Sequence, residues 1–535
     1  MKTLFVICTI AVTTWFFQSQ VVAQVIEKLP RSTPEQEGVS SAGIIEFLNA
    51  ADTSGLENHS FMMLRHGKVI AEGWWKPYGH EYKHIMFSAS KTFTATAIGL
   101  AVSENRLKVT DKIITFFPYS LPDTISEYMK GMTVKDLLTM SAGQDPEPSA
   151  WGANGDWITL FLSTTPKYKP GTVFKYNNMA TFMLSAIVQQ VTGETVFNYL
   201  MPRIFKPLGI RGIDWDLNPQ GINMGMIGLR LRTEDLAKFG QLLLNGGIWN
   251  GKQLIAKEWI KEATSFQIKN SDEPEAKRSL SDWGQGYAYQ MWRGKNNTVR
   301  LDGMGGQFVV LIPDKDAVVV FTANNTNTQK QLDLIHKYLI PAIKSDKALA
   351  AAPALQEEMV KKASTLTINP GSEKSVASGF EKSVSGKEFI LSENDNKIQS
   401  VYFSFRNGDC TFAIKRDNAV SSIKAGGKEW QVSTALSASL LAPSRNNFSK
   451  SVDANYSILK PVIKVAARYV WTDEKTLEIT GRFVEDALGS ETIVCKFSEQ
   501  NKNIKISIEP KTPTPAGRGF ENQQPVVLRG TMVDL

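Results

Sequence analysis

Two different spacings of apolar residues divide the chain into unlike stretches. Phe61-Met62-Met63-Leu64 and Val69-Ile70 flank His66-Gly67, a pattern that predicts a β-hairpin turning at those two residues. Residues 88–102 have the apolar density of a buried helix, and helical spacing recurs over 134–140, 181–191, 233–245 and 256–263. Short β-rich runs return at 287–292, 307–312 and 317–322, each bounded by Gly, Pro or Asp. The order is strands, a mainly helical middle, then strands. Past Ile343 the pattern changes: Lys344-Ser345-Asp346-Lys347, Ala350-Ala351-Ala352 and Pro370-Gly371 mark 344–378 as a linker, with one helix expected around 355–363. From residue 379 the runs are almost wholly β, at 398–405, 410–415, 467–471, 476–483 and 492–497, with a turn at Asn407-Gly408-Asp409. An all-β accessory domain over 379–535 is therefore expected behind a first domain that ends near residue 343.

Length agrees with two domains, because 535 residues exceed the roughly 250 to 300 at which one core stops growing. The first 23 residues read as a signal peptide: Lys2, an apolar run over 4–17, and Val21-Val22-Ala23 ahead of a cut. The alternative, a membrane anchor, needs roughly 18 to 20 apolar residues, and this run is shorter. No later run is long enough to span a bilayer, so a mature chain starting near Gln24 is expected to be periplasmic or secreted. Cleavage would take Lys2 from a formal charge of +7, and the remaining basic residues are scattered, which excludes nucleic acid as the main partner. It would also leave Cys410 and Cys495, either as a disulfide, which export permits, or as two buried thiols.

Candidate chemistry centres on Ser88-Ala89-Ser90-Lys91. Three-residue spacing at the start of a helix puts a hydroxyl and an amine on one face. A serine hydroxyl attacks only when a neighbouring base takes its proton. Two other S-x-x-K tetrads, beginning at Ser421 and Ser457, lie in the β-rich region without a following helix. What separates Ser88 from them is Tyr176-Asn177-Asn178, ahead of a second helix; of 13 tyrosines only Tyr176 has Asn two residues on. A phenol beside an ammonium can be held partly ionised and so accept a proton. The five histidines show no metal-ligand spacing, no G-x-S-x-G surrounds Ser88, and no cofactor is implied. Trp151 is a candidate for lining a substrate cleft, against the plainer reading of a core aromatic.

Residues 87–93, Leu137-Leu138-Thr139-Met140-Ser141-Ala142-Gly143, Tyr176-Asn177-Asn178, Gly228-Leu229-Arg230 with 235–240, and Gly303-Met304-Gly305-Gly306-Gln307 together resemble the ordered motifs of the β-lactamase-related serine hydrolase family. The resemblance covers roughly residues 30 to 340. It implies an α/β (α+β) β-lactamase-like transpeptidase fold, an antiparallel sheet with flanking helices plus a helical subdomain. It also implies an acyl-enzyme on Ser88, proton transfer by Lys91 and Tyr176, and substrate contacts from Asn178, Gly305, Gly306 and Gln307. The backbone amides of Ser88 and Gln307 would form the oxyanion hole. One departure stands out. Relatives often carry Lys-Thr-Gly or His-x-Gly on the strand beside the site; Met304-Gly305-Gly306 offers no such cation for a substrate carboxylate. A small-molecule or peptide substrate with an ester or neutral amide fits best. The rival is a protein that kept the fold, lost turnover, and recognises cell-wall peptides or a partner.

Overall fold

The computed structural model describes residues 28–150, 155–368, 379–417, 419–435, 450–452, 458–459, 463–485, 490–498, 503–511 and 526–533. The expected signal peptide (1–23), Trp151 and the last part of the expected linker (369–378) lie outside the described residues.

Hairpin β1 (Asn58–Arg65) and β2 (Lys68–Trp74) turns at His66 and Gly67, whose φ angles of 51° and 75° are the left-handed pair that a two-residue turn uses. Next come β3 (His84–Ile85), β4 (Asp214–Leu217), β5 (Leu229–Leu231), the small pair β6 (Ile248–Trp249) and β7 (Lys252–Gln253), then β8 (Trp292–Arg293), β9 (Val299–Gly303), β10 (Gln307–Ile312) and β11 (Ala317–Ala323). The main sheet has the order β2-β1-β11-β10-β9-β8 with antiparallel pairings. Its inner strands β1, β10 and β11 are buried along their whole length because both faces are covered. Met62, Leu64, Val309, Leu311, Val318 and Val320 enter the core shared with helices Ser90–Ser103, Asn178–Thr192 and Thr233–Leu244. Phe61, Met63, Phe308, Val310, Val319 and Phe321, one residue out of step, face helix Ser41–Thr53 on the other side.

Two expectations need correction or refinement. Residues 287–292 do not form a strand, and only Trp292 enters one. Gln290 sits at φ 55° with its carboxamide donating to the carbonyls of Leu137 and Leu138 and accepting from Thr181, so it is tied to loops and helices. Residues 353–368 of the expected linker are packed: helix Pro353–Ser364 lies on helix Ser41–Thr53 and β2, Met359, Leu366 and Ile368 join the outer core, and Ile368 N donates to Lys76 O at 2.8 Å.

The C-terminal strands are β12 (Lys387–Leu391), β13 (Ile398–Arg406), β14 (Asp409–Arg416), β15 (Ala419–Gly426), β16 (Gln431–Ala435), β17 (Lys450–Val452), β18 (Ile458–Leu459), β19 (Ile463–Asp473), β20 (Thr476–Phe483), β21 (Ser490–Ser498), β22 (Asn503–Lys511) and β23 (Val526–Val533). Ten of them run β15-β14-β13-β12-β23-β22-β21-β20-β19-β16, and a parallel contact between β15 and β19 closes the set into a barrel. Alternate residues such as Phe389, Phe403, Phe412, Trp471 and Phe497 fill its interior. Cys410 and Cys495 are buried among them as free thiols. β17 and β18 leave the barrel and extend a second sheet of the first domain, in the order β18-β17-β4-β5-β3. Among the described residues no helix is long and apolar enough to cross a membrane.

Candidate active site

β3 leads into the site. Met86 N donates to Leu229 O at 2.9 Å, Phe87 adopts a left-handed φ of 43°, and Ser88 follows in a 3-10 turn, Phe87–Ala89. A phenylalanine in that region costs on the order of 1–2 kcal/mol, strain of the kind that surrounding structure must hold in place. The turn leaves Ser88 half-buried while Ala89 and Ser90 are covered. Helix Ser90–Ser103 then carries Lys91 beneath the serine. Only 1% exposed, Lys91 donates to Asn178 Oδ1 (2.9 Å), Met226 O (3.0 Å) and Ser88 Oγ (3.4 Å). Burying an ammonium is tolerable only with such acceptors around it.

Tyr176 joins the same group, its ring centroid 5.1 Å from Lys91 Nζ. The three residues of Tyr176-Asn177-Asn178 have different tasks. Asn177 caps helix Asn178–Thr192 by accepting from Ala180 N at 2.9 Å and donates to Gln144 Oε1 at 3.0 Å. Asn178 turns its carbonyl oxygen to Lys91. That orientation comes from Glu147, which sequence reasoning missed: Asn178 N donates to one carboxylate oxygen, and Asn178 Nδ2 to the other at 2.9 Å. Met226, also missed, contributes only its backbone carbonyl. It reaches Lys91 because Gly225, at φ 72°, lets the loop lie against helix Asn178–Thr192; a Cβ there would come within 2.8 Å of Ser185 Cβ.

The end of β9 forms the opposite wall. A Cβ on Gly303 would sit 2.2 Å from Met86 O, so glycine is what lets this strand touch the nucleophile turn. Met304-Gly305-Gly306, expected on that strand, is instead the turn after it, with Gly305 and Gly306 at φ 81° and 92°; the strand ends in Leu301-Asp302-Gly303. Gln307 opens β10. Its carboxamide donates to Met304 O (2.9 Å) and Ala323 O (2.7 Å) and accepts from Ala323 N (3.1 Å), bracing the turn from behind. The shifted register still presents no cation at the strand end. Leu301 is buried, and burial pushes the Asp302 carboxyl up to about 6 against the opposing pull of Arg300. Arg300 donates to Asp302 at 2.7 Å and to Asp282 O at 3.0 Å. Beyond Tyr176 stand half-buried rings: Trp292 stacks on Tyr176 with centroids 6.0 Å apart, and Phe174 and Trp283 meet Trp292 at 5.7 and 4.9 Å. Among the described residues no cluster of His, Cys, Asp and Glu could hold a metal ion.

A helix-covered antiparallel sheet, an S-x-x-K turn entering a buried helix and a Y-x-N segment facing it define the β-lactamase-like fold. The chain belongs to the beta-lactamase family, whose sequence model matches residues 47–340. Among curated relatives it is similar to the 6-aminohexanoate-dimer hydrolase of Paenarthrobacter ureafaciens, 24% identical over 287 residues that cover 49% of this chain and 71% of that one. Among solved structures it resembles a penicillin-binding protein homologue from Caulobacter crescentus (17% identity, TM-score 0.46, covering 56% of this chain and 94% of that one). It also resembles a family VIII carboxylesterase (16% identity, TM-score 0.46, covering 59% and 100%).

Proposed function

We propose that the protein is an exported serine hydrolase that cleaves an ester or a neutral amide through an acyl-enzyme on Ser88. The observation that carries this reading is the hydrogen bond from Lys91 Nζ to Ser88 Oγ, in a cluster where Asn178 and Met226 hold the ammonium in place. An ammonium at Lys91 favours the ionised form of the Tyr176 phenol beside it, so the base in the resting cluster is Tyr176 as a phenolate. In the reaction Ser88 Oγ attacks the substrate carbonyl carbon while its proton passes to Tyr176. The carbonyl oxygen takes up the negative charge and is met by the Ser88 N–H and, because β9 ends at Gly303, by an N–H of the turn after it in place of the expected Gln307 N–H, each such donor contributing about 3 kcal/mol. Tyr176 returns the proton to the departing alcohol or amine, and water then repeats the sequence to free the acid.

Neutrality of the substrate is supported by β9, whose end carries Leu301 and Asp302 rather than a cation for a carboxylate. The rings of Phe174, Tyr176 and Trp292 suit an apolar group on one side of the scissile bond. A fluorescent phosphonate should label the wild type and leave Ser88→Ala unlabelled, with intact-mass analysis placing the adduct on Ser88. A panel of short-chain esters, cephalosporins and D-amino-acid peptides should show turnover of the esters first. Absence of labelling in the wild type would overturn the proposal in favour of a binding protein.

A further inference from the structure

We propose that the C-terminal barrel is a positioning domain for the nucleophile: Arg482, acting through Glu57, His59 and His84, and strand β17, acting through β4 and β5, both hold β3 and with it the turn that carries Ser88. This rests on the Ser88 reading above. It goes beyond that reading by assigning a positioning role to Arg482 and β17 of the accessory domain.

The first route is polar. Arg482 lies on β20 of the barrel and reaches across the domain boundary as a fork, Nη1 to Glu57 Oε1 at 2.6 Å and Nη2 to Glu57 Oε2 at 3.2 Å. The pair is largely removed from solvent, with side chains 6% and 22% exposed. Glu57 Oε1 also meets His59 Nε2 at 3.0 Å; His59 Nδ1 lies 2.8 Å from His84 Nε2, and His84 Nδ1 lies 3.0 Å from Ile85 O. Tyr78 stacks on His59 at 3.7 Å and fixes its plane. Both histidines are buried, and His84 stands four residues before the nucleophile on the strand that delivers it. Glu57 also bonds toward the other wall. Its N–H donates to Asn325 Oδ1 at 2.7 Å, and Asn325 N donates to Gly305 O at 2.8 Å, in the turn after β9. One carboxylate, held by an arginine of the barrel, is thus linked to both sides of the cleft.

The second route is backbone pairing. β17 pairs with β4 (Ser451↔Asp216), β4 with β5 (Trp215↔Leu229) and β5 with β3 (Ile85↔Arg230). The boundary is closed around the same segment. Glu485 accepts from Lys83 N at 3.2 Å and from Lys464 Nζ at 3.0 Å, Lys464 lies over the Tyr82 ring, and Ala466 and Val484 enter the outer core of the first domain. Removing Arg482 would leave a buried carboxylate facing the His59 imidazole without its cation, a loss that such a chain relieves by moving. Because Phe87 already holds a strained φ, the turn is poised to respond to that movement.

The test uses the full-length chain with Arg482→Met, Arg482→Lys and Ser451→Pro. Each is checked for folding by circular dichroism and assayed well below its melting point. β17 has a strand on either side, so proline at 451 loses a ladder hydrogen bond whichever way its N–H points. Arg482→Met should label with the phosphonate at least tenfold more slowly, with KM for a turned-over ester within about twofold of wild type; Arg482→Lys should regain most of the rate. A merely stabilising contact would lower the melting point and leave the labelling rate within twofold, and that result in folded Arg482→Met overturns the proposal. If Arg482→Met does not fold, Ser451→Pro decides by the same criterion. Should the wild type itself fail to label, the Ser88 reading falls. Hydrogen exchange of residues 82–90 would then still decide the coupling, which predicts faster exchange in Arg482→Met and is refuted by equal exchange.

Discussion

Lys91 illustrates how few of the atoms in this site are interchangeable. Its two short bonds go to Asn178 Oδ1 and to a backbone carbonyl, and the first of these exists only while the Asn178 amide is held the right way round by Glu147. Glu147→Gln would present one N–H₂ where two N–H donors now meet two carboxylate oxygens. Loss of a charge-assisted hydrogen bond of this kind is worth about 1.5 to 3 kcal/mol. We expect kcat to fall about 10- to 100-fold with KM little changed, read by steady-state kinetics on an ester; an unchanged kcat would show that Asn178 keeps its orientation unaided. Ser88, Lys91, Tyr176 and Asn178 were visible in the sequence because each pair falls within one helical turn of a motif. Glu147 stands 31 positions from Asn178 on a loop, and Met226 contributes a carbonyl that every residue possesses. Neither leaves a spacing signal.

Elements with one dominant periodicity matched their expected spans closely, as with the helix over Thr233–Leu244 and strands Gln307–Ile312 and Thr476–Phe483. The segment 287–292 does not run as a strand because its pairing stops at single bridges of Tyr287 with Ile268 and Trp292, and the bend at Gln290 is set by partners more than 100 residues away. The register of the strand beside the site also escaped the sequence. Met304-Gly305-Gly306 and Leu301-Asp302-Gly303 both end in glycine, and only the contact with Met86 O picks out the second. That contact gives an element-scale prediction. Gly303→Ala must push β9 away from the nucleophile turn, at a cost of about 1–3 kcal/mol, as overpacking usually brings. Urea unfolding should register that loss, and kcat should fall by more than KM rises; normal stability with normal kcat would mean that the wall is not where β9 ends.

For the molecule as a whole, the boundary between the domains is pH-sensitive in a calculable direction. Burial holds the His84 imidazole down at about 3, with the neighbouring His59 adding to the effect, and burial also lowers His59 despite Glu57. The His84 imidazole is neutral when folded, whereas an exposed histidine protonates near 6.5. Below about pH 6.5 the unfolded chain therefore binds more protons, so this contribution is complete above that pH and is lost as pH falls toward 3. Glu57 follows at lower pH: although burial raises it, the bond from His59 and the charge of Arg482 hold it at about 2, and its share is lost between about 4.5 and 2. Asp302, which burial raises to about 6, runs the other way, so the histidine effect is best read as a difference. The stability gap between wild type and His84→Asn should change, to the disadvantage of the wild type, by about 1.4 kcal/mol per pH unit below 6.5 for one proton. Denaturant melts from pH 7.5 to 4 would reveal it, and a constant gap would refute it. The pairing of β17 with β4 carries a last consequence, for anyone who would trim the chain to its first domain. A fragment stopping at Ile343 bares one rim of β4, a row of unsatisfied amides and carbonyls that invites other copies to add on. Such a fragment would be sticky in solution, and its yield would say more about that rim than about the domain's own capacity to fold.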